Sequence, residues 1–204
     1  MSIVNSIETV REWLDANVCP LVQLKLPNDE KTDASYPYKL VNPAAFSLFV
    51  PSKDRIPPNI AAPIPSVCVQ LVKGDDDMVG SIRGIKLRLF FAAWDPGYHA
   101  ADIFKPNGDG TYIQQYNNAC RDFFEKNGEG WRDAWNFVDT ALRIIENTEY
   151  IGKTLRVVKE DGVSFGPVAE EDAVPDFYPY WFAWAEFSVE EALTRHSQTY
   201  EQYL

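Results

Sequence analysis

Between residues 64 and 94, apolar and polar positions alternate with a period of two. That is the mark of a strand, because successive side chains of a pleated backbone point to opposite faces. The first arm, residues 65–72, sets Val67, Val69 and Leu71 on one face. The second, residues 82–94, sets Ile85, Leu87, Leu89, Phe91 and Ala93 on one face. Gly84, Lys86, Arg88, Phe90, Ala92 and Trp94 fall on the other. Between the arms, residues 73–81 read Lys-Gly-Asp-Asp-Asp-Met-Val-Gly-Ser, polar and glycine-flanked as a solvated hairpin loop requires. The pattern predicts a long antiparallel hairpin.

Helical spacing governs two other stretches. Ile3, Ile7, Val10, Leu14 and Val18 recur at intervals of three and four and predict an amphipathic helix over 3–18. Asn5 or Ser6 would cap it, with Glu8 in capping-box relation to Asn5, and Cys19-Pro20 would end it. Trp131, Ala134, Trp135, Val138, Ala141, Leu142 and Ile145 make a wide apolar stripe that predicts a second helix over 131–148. Leu155 and Val157 mark a short strand within 154–160. In residues 178–189, Trp181, Ala183, Ala185, Phe187 and Val189 alternate with Tyr180, Phe182, Trp184, Glu186 and Ser188, predicting a last strand. Residues 45–50 have the apolar density of a short strand inside an otherwise irregular, proline-rich arm over 21–62. Residues 98–129 read as a second irregular insertion, and 190–204 as a peripheral tail.

No strand–helix–strand alternation with a glycine-rich first turn occurs, which disfavours a doubly wound parallel sheet. The expectation is one α+β domain spanning 1–204. It is a two-layer sandwich, with a mostly antiparallel four-stranded sheet (66–72, 82–94, 154–159, 178–189), two helices on one face and long loop insertions. A hydrophobic share of 46% with 14% aromatics supports a packed core and not a disordered chain.

Charge narrows the partners. The formal net charge is −11, from 30 acidic and 19 basic residues, which argues against a binder of nucleic-acid phosphates. No run approaches the roughly 20 apolar residues of a membrane span. The opening residues Met-Ser-Ile-Val-Asn-Ser lack a basic region followed by an apolar run, so no secretory signal is expected. Cys19, Cys68 and Cys120 are widely separated and odd in number, which predicts reduced, buried thiols.

Candidate chemistry is sparse. His99 and His196 are the only histidines, and neither sits in a zinc or catalytic-triad motif. A pocket using Asp95, Tyr98 and His99 is the enzymatic or ligand-binding alternative. Asp75, Asp76 and Asp77 lack the spaced ligands of a calcium loop and read as a solvated hairpin tip. No catalytic residue, cofactor or metal is expected. The second face of the sheet is more informative. It would carry Phe90, Trp94, Tyr180, Phe182 and Trp184 beside Lys86, Arg88, Gln70 and Glu186, too apolar a surface for open water. Either residues 21–65 or 95–130 of the same chain cover it, or a partner subunit does.

Residues 63–72 (Pro-Ile-Pro-Ser-Val-Cys-Val-Gln-Leu-Val), 85–97 (Ile-Lys-Leu-Arg-Leu-Phe-Phe-Ala-Ala-Trp-Asp-Pro-Gly) and 130–142 (Gly-Trp-Arg-Asp-Ala-Trp-Asn-Phe-Val-Asp-Thr-Ala-Leu) follow a leading helix and precede a closing aromatic strand. This order resembles the tail terminator, or tail-completion, proteins of long-tailed bacteriophages and prophages, over residues 1–20, 63–97 and 130–190. The chain departs from shorter members through its 21–62 and 98–129 segments. The resemblance implies a non-enzymatic virion protein that forms a ring, usually of six, on the head-proximal end of the tail tube. It would touch itself, the tail tube protein and a head-closure or neck protein. It would assemble in the host bacterial cytoplasm and end in the virion tail. Another head–tail connector is the nearest alternative role. The expected subunit contacts are the aromatic face (Phe90, Tyr180, Phe182, Trp184) and, as the second patch, either the loop 73–81 bearing Asp75, Asp76 and Asp77 or the segment 98–129.

Overall fold

Helix α1 occupies Ile3–Asn17 and starts at Ser2, whose side chain accepts the Asn5 amide at 3.2 Å. In the computed structural model, residues 2–27, 39–95, 104–106, 112–114, 130–168 and 177–193 are described. Two short strands, β1 (Leu24–Lys25) and β2 (Leu40–Val41), pair with each other. Then come β3 (Ala44–Ser47), β4 (Ser66–Asp77) and β5 (Ile82–Trp94). A separate antiparallel pair joins β6 (Phe104–Pro106) to β7 (Tyr112–Gln114). Helix α2 is Trp131–Glu146. It is followed by β8 (Tyr150–Ile151), β9 (Leu155–Val157), β10 (Ser164–Pro167) and β11 (Tyr180–Ala192).

The four-stranded, mostly antiparallel sandwich expected from the sequence is not the architecture. Among the described residues the main sheet has seven strands in the order β3-β4-β5-β11-β9-β8, with β10 alongside β9 on the edge of β11 that faces away from β5. It is mixed, because β3 runs parallel to β4 from Ala44–Ser66 to Ser47–Val69. It is also curled: α1 touches β3 and β4 near one edge and β8 at the other. Of the three added strands, β3 overlaps the apolar stretch 45–50 that had the density of a short strand, but its parallel place in the sheet was not legible. β10 holds four residues and β8 only two, too few to display a period. β10 contains Gly166 and Pro167, both poor strand formers.

The central pairing is long. β11 matches β5 without a break from Tyr180–Trp94 to Ala192–Ile82. Their inward residues Leu87, Leu89, Phe91, Ala93, Ala183, Ala185, Phe187 and Val189 join Val10 and Leu14 of α1 and Phe137, Val138 and Ala141 of α2 in one buried cluster. Phe91 meets Phe137 edge-to-face at 4.9 Å between ring centres. Burying side chains of this size favours folding by about 1.5–3 kcal/mol each.

At its far end, β4 does not stop at residue 72. A bulge between Leu71 and Lys73 shifts the register by one residue, after which Lys73–Asp77 pair with Lys86–Ile82. The turn proper is Met78–Ser81. Asp77 closes it, its Oδ1 accepting the amides of Val79 and Gly80 at 2.9 Å each. Residues 71–80 are all exposed and form an arm along the sheet's edge, flanked on its β5 side by β11 as far as Ile82, with only the turn Met78–Ser81 beyond the ladder.

Candidate functional site

The register of β4, β5 and β11 assembles the outer face in rows. Cys68, Phe90 and Trp184 share one row; Gln70, Arg88 and Glu186 share the next. Phe90 and Phe182 stack at 5.4 Å between ring centres, and Phe177 meets Phe182 edge-on at 5.3 Å. Trp184 lies across β10. Its indole N–H donates to the Pro167 carbonyl at 2.8 Å, and a Cβ added at Gly166 would fall 2.9 Å from the ring. Gly166 is therefore glycine because the indole passes over its backbone. Arg88 lies over the Trp184 ring, 5.4 Å from its centre, a cation–π arrangement.

Electrostatics orders the neighbouring row. Glu186 is buried and is clasped by Lys86 at 2.9 Å and by Arg88 Nε at 2.8 Å. Hydrogen bonds from Lys86 and then Arg88 hold its carboxyl below the usual carboxylate range despite burial. Two cations share one carboxylate, so this patch keeps a net positive charge on a chain whose total is −11.

The structure brings Phe90, Phe182 and Trp184 together, all half-buried. Tyr180 sits apart, opposite Trp94 at the far end of the ladder, and is 37% exposed. The face is not open throughout: Cys68, Ala92 and Trp94 on it are buried. Exposure concentrates toward Lys86, Arg88 and the arm. Asp75, Asp76 and Asp77 do not join the aromatic patch and are not loop residues; they belong to β4. Asp75 pairs with Lys73 at 2.8 Å. Asp76 pairs with Arg83 at 2.6 Å, which holds its carboxyl low. Arg83 also donates to buried Glu191 at 3.3 Å, and Glu191 accepts from Ser6 of α1 at 3.1 Å. This chain of contacts anchors the base of the arm to the body.

Sequence reasoning overlooked three contributors. Phe177 precedes the period-two run, β10 has no period, and Met78 and Val79 were hidden inside a polar loop. Met78 and Val79 are 74% and 95% exposed at the arm tip.

Of the alternative pocket, His99 and Tyr98 lie outside the described residues, as do His196 and Cys120. Asp95 is buried and engaged: its carboxylate pairs with Lys25 and its carbonyl accepts the Trp181 indole N–H at 3.0 Å. Burial raises the carboxyl of nearby Asp133, opposed by Lys25 and reinforced by Asp95. Among the described residues no three His, Cys, Asp or Glu side chains gather as a metal site, and no helix is long and apolar enough to cross a membrane. Compared with known proteins, the sequence matches no family model and no curated protein.

Proposed function

We propose that the chain is a non-enzymatic structural subunit of a phage or prophage tail, a terminator that forms a ring on the tail tube and joins the tail to the head. The observation that carries this reading is the outer sheet face. A half-buried aromatic group, Phe90, Phe182 and Trp184, edged by exposed Phe177 and Tyr180, stands beside a cationic patch and borders the arm. Trp184 anchors β10 within the monomer, whereas the exposed aromatic edge and the cations beside it suit the contact surface of a subunit. The acidic balance suits a ring through which DNA slides, since a basic lumen would hold phosphates. The partners in this reading are further copies of the chain, the tail tube and a head-closure protein.

The test is electron microscopy of induced or infected cells whose copy of this chain is disrupted. Overlong tails without heads are expected. Tails of normal length that merely fail to join heads would instead place the chain among head-closure or neck connectors. Normal, head-bearing tails would end both readings. For the interface, Tyr180→Glu with Phe177→Glu is the cleaner variant, because both side chains are exposed. Trp184→Glu would also remove the anchor of β10. A folded double variant with normal tails would exclude this face as the contact.

A further inference from the structure

We propose that the arm formed by residues 71–82 docks on the outer sheet face of a neighbouring copy. Met78 and Val79 seat on Phe90 and Phe182, and Asp75 and Asp77 face Lys86 and Arg88. The inference rests on the ring reading above and specifies its contact. A closed ring of identical subunits needs two different, mutually complementary patches on each copy. The chain carries such a pair.

The arm is an apolar knob on an acidic stalk. Val79 is 95% exposed, yet the Asp77 cap fixes the turn that presents it, so little ordering is left to be done on docking. Residues 71–82 contain one lysine and three aspartates, a net charge of −2, and with Asp76 neutralised by Arg83 at the base a net charge of −1 is left. The stalk, residues 71–77, runs along the sheet edge, and only the turn Met78–Ser81 stands beyond the last β5–β11 pair, Ile82–Ala192, where it carries the knob. The arm cannot fold back onto its own outer face, because pairing of β5 with β4 and β11 continues to Ile82 and keeps it in the plane of the sheet.

The outer face is the matching surface. Lys86 and Arg88 are 44% and 42% exposed and share the single carboxylate of Glu186, leaving one positive charge beside the stacked Phe90–Phe182 pair. Two other clefts lie among the described residues: one of about 300 Å³, whose lining has Asp15 and no cation, and one of about 230 Å³ floored by Ile145, Val157 and Phe187. The rim of the smaller carries Lys159 but also Glu146, with Glu160 and Asp161 adjoining, so neither offers an acidic arm attraction.

The test is disulfide trapping of the full chain in a Cys120→Ser background, where Cys19 and Cys68 remain buried. Val79→Cys is placed on the arm and Gln70→Cys on the face, beside Arg88 in register. At about 1 mM protein, where even weak contacts are populated, the two single variants mixed should form a Val79–Gln70 heterodimer. The chain carrying both should form a ladder. Asp75→Lys should cut the yield at least about tenfold, and adding Lys86→Glu should restore it, as expected for charges facing across an interface. Trapping only of like with like, or no trapping, would overturn the docking. Tail length and head joining in cells carrying Val79→Ser and Asp75→Lys separate the two ideas. Normal tails remove the arm from the ring while the ring reading stands; overlong or headless tails support the docking.

Discussion

Gly130→Ala should destabilise the protein by about 1–4 kcal/mol, and the reasoning can be followed atom by atom. Gly130 is buried at the entrance to α2 with φ −61° and ψ −20°, a conformation any residue adopts. Backbone strain is therefore absent, and alanine would gain about 0.4–1 kcal/mol from a less flexible unfolded chain. Against that, the new Cβ would lie 2.2 Å from Trp181 Nε1 and 2.7 Å from Asp95 Cβ. Relief requires moving the indole or the helix end, an overpacking cost of about 1–3 kcal/mol. Moving the indole also breaks its 3.0 Å hydrogen bond to Asp95, worth about 0.5–1.5 kcal/mol. For a domain of this size a central loss of about 2.5 kcal/mol lowers Tm by roughly 5–10 °C. Urea unfolding followed by tryptophan fluorescence measures it. Repeating the substitution in Trp181→Phe, which removes the nearest atom, should shrink the penalty, and the coupling energy isolates the clash. A loss under about 0.5 kcal/mol, or equal losses in both backgrounds, would refute the argument.

Further outcomes follow from titration and burial. Burial raises the Asp133 carboxyl above its ordinary value of 3.8, so the folded chain holds that proton more tightly and loses stability as pH rises through the raised value. Asp133→Asn should raise Tm at pH 7, with the gain vanishing below the ordinary value; a lower Tm at pH 7 would contradict this. Glu186 behaves oppositely. Its lowered pKa contributes stability above the ordinary 4.5 that is lost as pH falls through the folded value, so Glu186→Gln should destabilise at pH 7 and converge with the parent in acid. Burial pushes the thiols of Cys19 and Cys68 up to about 12 and about 11, so in a Cys120→Ser background iodoacetamide at pH 8 should label neither until urea unfolds the chain.

The two long central strands were legible because each exposes one face of a uniform ladder, so inside and outside alternate residue by residue. Legibility failed where that alternation is broken. The bulge at Leu71–Lys73 interrupts the period, and five charged or glycine residues after it imitate a loop, although they pair regularly with β5. Glu190 and Glu191 read as the start of a polar tail, yet Glu191 is 3% exposed because Arg83 and Ser6 satisfy it. β3 showed as an apolar stretch, but its parallel pairing with β4 was hidden, because four residues carry no signal of direction or partner. The candidate site followed the same rule. Phe90, Phe182 and Trp184 came from the ladder, whereas Phe177, Met78 and Val79 depend on turns whose geometry no periodicity encodes.

The place of β11 in the sheet also bears on how the chain is made. The strand at the centre, hydrogen-bonded to β5 along its whole length, is supplied by residues 180–192, about a hundred residues after the hairpin it completes. At the usual 5–20 residues per second of translation, the inner faces of β4 and β5 wait roughly 5–20 s for their partner. During that interval the unpaired edge of β5 is a sticky template on the ribosome. Chains truncated before residue 180 should therefore accumulate in chaperone complexes or inclusion bodies, and the full chain should acquire protease resistance only after β11 has emerged.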